Sequence, residues 1–121
     1  MRTPVGLVTE RGESNGKAGL LGFSHGGFIA VASAAADPRI DAIAVFYGGI
    51  PGHTDLARLP PLLALHGDAD RNVPLADGAA LVAKARELGI AVPAQEALYA
   101  AARKVERGEL KAAPANTIGF A

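Results

Sequence analysis

The sequence predicts an α/β domain with three or four mainly parallel strands and flanking helices. Three observations predict it. Short, continuously apolar runs recur at 18–23, 40–47 and 62–66, and strands apolar on both faces belong to parallel sheets covered by helices. Segments of helical character follow the first and third runs, at 26–36 and 75–88, which is the succession of right-handed crossover units. The chain is 121 residues long and 50% hydrophobic, enough for a single core.

Taken in order, residues 1–17 are polar and rich in glycine, with Gly12, Asn15 and Gly16 close together, and read as loop or the remnant of a preceding element. The run at 18–23 reads as a buried strand ended by Ser24. Residues 26–36 are small and apolar apart from Ser33, the composition of a helix packed closely on a sheet, and Asp37-Pro38 ends it. The Ile, Val and aromatic residues of 40–47 make a second buried strand, followed by a turn at Gly48-Gly49-Ile50-Pro51-Gly52 and a loop to Pro60-Pro61. Residues 62–66 form the third strand. Leu81, Ala85 and Leu88 then recur at helical spacing, and Gly89 supplies a stop.

Beyond Gly89 two readings stand. Residues 90–99 suit a last strand. A helix from about 94 to 107 puts Ala94, Leu98, Ala101 and Val105 on one face behind Pro93, and is favoured. Residues 111–121 read as a disordered tail. The chain thus divides into 1–17, a core at 18–89 and a divergent C-terminal segment at 90–121.

Composition excludes several functions. Without cysteine there is no disulfide and no thiolate metal site, and neither a metal nor a cofactor is expected. Lysine plus arginine and aspartate plus glutamate both number 12, so no basic surplus exists to bind nucleic acid. No apolar run approaches the roughly 20 residues that span a bilayer. The N-terminus, broken by Pro4, Gly6, Glu10 and Arg11, is not a signal peptide. A cytoplasmic location is expected, and no membrane partner.

Chemistry concentrates at Gly22-Phe23-Ser24-His25-Gly26. A serine hydroxyl becomes a nucleophile when a base takes its proton and the backbone exposes it, and a sharp strand-to-helix turn gives that exposure. Such a turn is crowded, which accounts for glycine two before and two after the serine, with Gly27 relieving it further. The helix start adds unpaired N–H groups and a positive dipole end, so the backbone N–H of His25 is the natural first donor to an oxyanion. The competing reading is a tight turn whose serine merely caps the helix. Use of that helix start as an anion site is weaker, because the lysine and spacing of a phosphate loop are missing.

The second feature is His66-Gly67-Asp68-Ala69-Asp70-Arg71-Asn72-Val73-Pro74, after the third strand. An acid there faces the crevice where parallel sheets bind ligands, and can orient an imidazole. Asp70 is preferred to Asp68, which is expected to bond turn amides. The bland alternative is a pair of ordinary turn aspartates.

Together these stretches, with Val45-Phe46-Tyr47-Gly48 and Pro61-Leu62-Leu63-Ala64-Leu65, resemble the α/β-hydrolases of the dienelactone hydrolase family over about residues 17–89, and more loosely the catalytic domain of prolyl-oligopeptidase-type peptidases. The resemblance implies a partial α/β-hydrolase fold and cleavage of a small-molecule ester or lactone through an acyl-enzyme. It implies Ser24 as nucleophile, Asp70 as triad acid and His25 as oxyanion N–H donor.

Two departures qualify this. The family order is serine, acid, histidine, yet His25, His53 and His66 all precede Asp70. His53, on a long loop, is the least implausible substitute, and another chain could supply the base. Strands normally preceding the serine strand, with the second oxyanion donor, have no counterpart here. The expectation is an incomplete family member, weakly active or inactive alone, that self-associates through an exposed sheet edge. The alternative is a non-catalytic domain of the same fold that binds a small ligand or partner.

Overall fold

The computed structural model of the chain describes residues 4–109, and the tail expected at 111–121 lies outside them. The elements run α1 (Pro4–Thr9), β1 (Gly19–Phe23), α2 (His25–Ala36), β2 (Ala42–Phe46), β3 (Leu62–Leu65), α3 (Leu75–Glu87) and α4 (Pro93–Glu106). The three strands form one sheet in the order β1-β2-β3, with both pairings parallel. The predicted α/β class and its parallel strands are therefore present.

Register explains where the core sits. Leu20, Ile43 and Leu62 are aligned in one row, and Gly22, Val45 and Ala64 in another two residues on. Side chains alternate faces along a strand, so both rows lie on the same face. There Ile43, Val45, Leu62 and Ala64 are buried with Val31 and Ala34 of α2, Leu81 and Ala85 of α3, and Leu56 and Leu59 of the β2–β3 loop. Burial of these side chains out of water is the main term holding the layers together.

The opposite face is different. Leu21 is 61% exposed and Phe23 50%, with the Phe46 ring stacked on Phe23 at 4.6 Å between centroids. This corrects the expectation of a buried first strand. β1 is an edge strand covered on one face only, because α2 packs on the row of Leu20 and Gly22 and no described element covers the other.

The outer margin of β3 is closed by the segment after α3. Gly89, at φ 73°, ends α3 with its N–H on the Arg86 carbonyl and the Ile90 N–H on the Ala85 carbonyl, a paired-bond stop that needs the left-handed conformation. The chain then turns back along β3. Ala91 accepts the Leu62 N–H at 3.1 Å, and the Gln95 side-chain oxygen accepts the Ala64 N–H at 2.8 Å. Of the two readings of this region, the helix is the observed one, with Pro93 in its first turn. At the other end, α1 occupies part of the stretch read as loop or remnant, and Val5 packs against the core.

Candidate active site

Ser24 stands between β1 and α2 and serves both. Its N–H donates to the Phe46 carbonyl at 2.9 Å, extending the β1–β2 ladder, while its own carbonyl accepts from Gly27 at 2.9 Å and Phe28 at 3.3 Å, opening the helix. A residue that ends a strand and starts a helix with no intervening loop must bend sharply. Ser24 does so at φ 55°, ψ −121°, a conformation that costs a non-glycine residue about 1–3 kcal/mol.

Close packing enforces the bend. A Cβ on Gly22 would stand 2.1 Å from the Gly26 carbonyl oxygen and 2.7 Å from the Gly27 nitrogen. A Cβ on Gly27 would stand 3.1 Å from Val45 Cγ1, whereas one on Gly26 would meet nothing within 4 Å. The flanking glycines are therefore not equivalent. Gly22 is required by space, Gly27 is a tight fit against the Val45 side chain, and at Gly26 it is the backbone carbonyl that crowds Gly22.

The capping role weighed for Ser24 is not what this geometry gives. Ser24 holds the N-cap position of α2 but makes no side-chain cap hydrogen bond. Its hydroxyl has no described partner, and the residue is half-buried. The first backbone N–H of α2, that of His25, is likewise unpaired among the described residues, as helix starts require.

The acid loop opens at the same end of the sheet. The Tyr47 N–H donates to the Leu65 carbonyl at 2.7 Å, so the β2–β3 ladder ends level with the β1–β2 ladder. Ser24 and the loop carrying Asp70 come after β1 and β3, two strand spacings or about 10 Å apart. Between them Tyr47 is the second non-glycine residue at positive φ, 39°, its ring 6.1 Å from that of Phe23. Nothing in the sequence beyond the two following glycines signalled that strain.

Asp70 Oδ1 accepts N–H groups from Asn72 at 2.8 Å and Val73 at 2.9 Å. Those amides, Val73 first, and the nearby His66 ring hold its carboxyl below the ordinary value. This reverses the expected division of labour. Asp70 itself makes the turn, because its carboxylate reaches the amides two and three residues on, while Asp68 has no described hydrogen bond. The Oδ2 of Asp70 remains without one.

The histidines do not complete a triad with these two residues. The His25 and His53 residues are exposed. The His66 ring lies on the core face against Val73. No described hydrogen bond joins Ser24 to any of the three.

Residues 4–102 match the model of the dienelactone hydrolase family. The chain belongs to that family. No curated protein matches it. The family match begins in α1 and ends within α4, beyond both limits of the stretch that carried the resemblance, and the three parallel strands with their helices are a partial α/β-hydrolase fold. In this family member a cavity of about 620 Å³ lies among β3, α3 and α4, lined by Ala64, His66, Leu75, Val82, Gln95 and Tyr99. Neither Ser24 nor Asp70 borders it, so it is separate from the serine turn. Among the described residues no helix is long and apolar enough to cross a membrane, and no group of three or more carboxylate or imidazole side chains is gathered as for a metal.

Proposed function

We propose that this dienelactone hydrolase family member carries the nucleophile and acid of a serine hydrolase acting on a small-molecule ester or lactone, and that the chain alone is weakly active or inactive. The observation that carries the reading is the conformation of Ser24. A non-glycine residue is bent at the rim of a parallel sheet and, among the described residues, neither its hydroxyl nor the helix N–H beside it has a hydrogen-bond partner.

In the proposed reaction Ser24 Oγ bonds to the substrate carbonyl carbon and its proton passes to a base. The carbonyl π-bond electrons become an oxyanion facing the His25 N–H. Collapse breaks the ester C–O bond, and the leaving alcohol or enol takes the proton. Water then attacks the acyl-enzyme, releasing the carboxylic acid and restoring Ser24. Asp70 Oδ2 would orient the base. The described positions of the three histidines are why weak or absent activity is expected unless His53 moves in or another chain supplies an imidazole.

A fluorophosphonate tests this. Slow modification of Ser24, located by peptide mass spectrometry and lost in Ser24→Ala, is the expected result. The second reading, a ligand-binding domain without catalysis, is favoured by His66 being engaged elsewhere. It predicts an unlabelled folded chain that binds a small ligand equally well as Ser24→Ala.

A further inference from the structure

The side chain of His66 is 5% exposed, and its two ring nitrogens have different surroundings. Nε2 lies 2.7 Å from the carbonyl oxygen of Val73. A carbonyl only accepts, so Nε2 carries a proton whatever the charge on the ring. Nδ1 is buried with no described partner and faces the backbone of α3 at Gly78, where an added Cβ would stand 2.6 Å from it. The ring fits only because α3 has no side chain at that point.

Val73 is gripped from both sides. Its carbonyl is held by His66, and its N–H is held by Asp70 Oδ1. The second Asp70 oxygen lies 3.9 Å from His66 Nε2, beyond hydrogen-bond range. The ionisable groups around the ring are Asp70 from its own loop, Arg86 from α3, and Glu96 and Tyr99 from α4 across the cavity, with Arg86 and Glu96 paired to each other.

We propose that His66 is the positioning residue of the acid turn: its Nε2–H fixes the Val73 carbonyl, keeps the Asn72 and Val73 amides on Asp70 Oδ1, and leaves Oδ2 as the oxygen available to orient an imidazole. The clamp is a property of the loop itself, and only the purpose of Oδ2 rests on the hydrolase reading. His66, a candidate stand-in base by residue type, thus has a different task.

Nuclear magnetic resonance of the full chain tests it. A long-range nitrogen–proton correlation is expected to show Nε2 protonated in the native chain. In His66→Leu, the Val73 amide exchanges roughly tenfold faster, as for loss of about one net hydrogen bond, and the Asp70 carboxyl titrates at higher pH. His66→Gln, which keeps an N–H donor at similar reach, restores both. Gly78→Ala, which displaces the ring, copies the leucine variant. An unprotonated Nε2, or exchange and titration unchanged in His66→Leu, overturns the proposal. Should the leucine variant not fold, His66→Asn, whose amide falls short of Val73, is compared with His66→Gln on the same two readouts. Failure of Ser24 to react with the fluorophosphonate would remove the hydrolase reading and leave these results standing.

Discussion

Replacing one glycine of the serine turn separates steric necessity from mere pattern. In Gly22→Ala the new Cβ would lie 2.1 Å from the Gly26 carbonyl oxygen, 2.4 Å from its carbon and 2.7 Å from the Gly27 nitrogen. All three are backbone atoms, so no rotamer change can relieve the overlap. Either β1 and α2 move apart or the bend at Ser24 opens. Overpacking a core costs about 1–3 kcal/mol where side chains can give way, so a clash with backbone belongs at or above about 3 kcal/mol. That is a large share of the roughly 5–15 kcal/mol that holds a domain folded. Gly26→Ala is the control. Its Cβ meets nothing within 4 Å, and alanine gains up to about 1 kcal/mol of helix propensity over glycine. Urea unfolding monitored by circular dichroism should therefore show a large loss for the first variant and a neutral or slightly stabilising effect for the second. Equal effects, or a Gly22→Ala midpoint within error of the native chain, would refute the close approach on which the bent serine depends.

Three further outcomes are expected. Ser24→Gly should be more stable than Ser24→Ala by about 1 kcal/mol in the same assay, since releasing about 1–3 kcal/mol of strain outweighs the roughly 0.5–1 kcal/mol entropic penalty of glycine. The acid limb of stability should depend on Asp37, whose carboxyl the Arg39 side-chain hydrogen bond pulls down from 3.8 to about 2. A depressed carboxylate stabilises above its unfolded value, and the contribution fades as pH falls through the folded one. Arg39→Ala should flatten the pH profile between about 4 and 2, and Asp70 acts in the same direction through its lowered value. Finally, the chain should self-associate through its uncovered sheet, and Phe23→Lys should return it to monomers in sedimentation. A native chain that sediments as a compact monomer would contradict that.

Much of the architecture is legible in residue order because parallel strands and their crossovers leave a strong local signal. The runs around Leu20, Val45 and Leu63 are apolar without alternation, and Pro38, Gly89 and Pro93 punctuate them by backbone restriction alone. What stayed hidden depends on neighbours distant in sequence. An apolar strand reads alike whether one face or two are covered, so the exposure of Leu21 and Phe23 could not be foreseen. At the candidate site, the Gly22-to-Gly26 motif announces the bend. Which aspartate ties the acid turn, and that His66 holds Val73, are matters of a few ångströms within a loop. Residue type does not encode those. Gln95 is the sharpest case: nothing about a glutamine in a helical stretch shows that its oxygen will accept the N–H of a strand residue 31 positions earlier in the chain.

That hydrogen bond has a consequence for stoichiometry. With Ala91 and Gln95 taking the Leu62 and Ala64 N–H groups of β3, the margin left open among the described residues is the outer side of β1. Two copies joining there would meet like to like across a two-fold axis, with their first strands antiparallel, and each would use up the other's remaining site. Growth by edge pairing would then halt at a pair, because the Ala91 carbonyl and the Gln95 side chain together keep a further strand off β3.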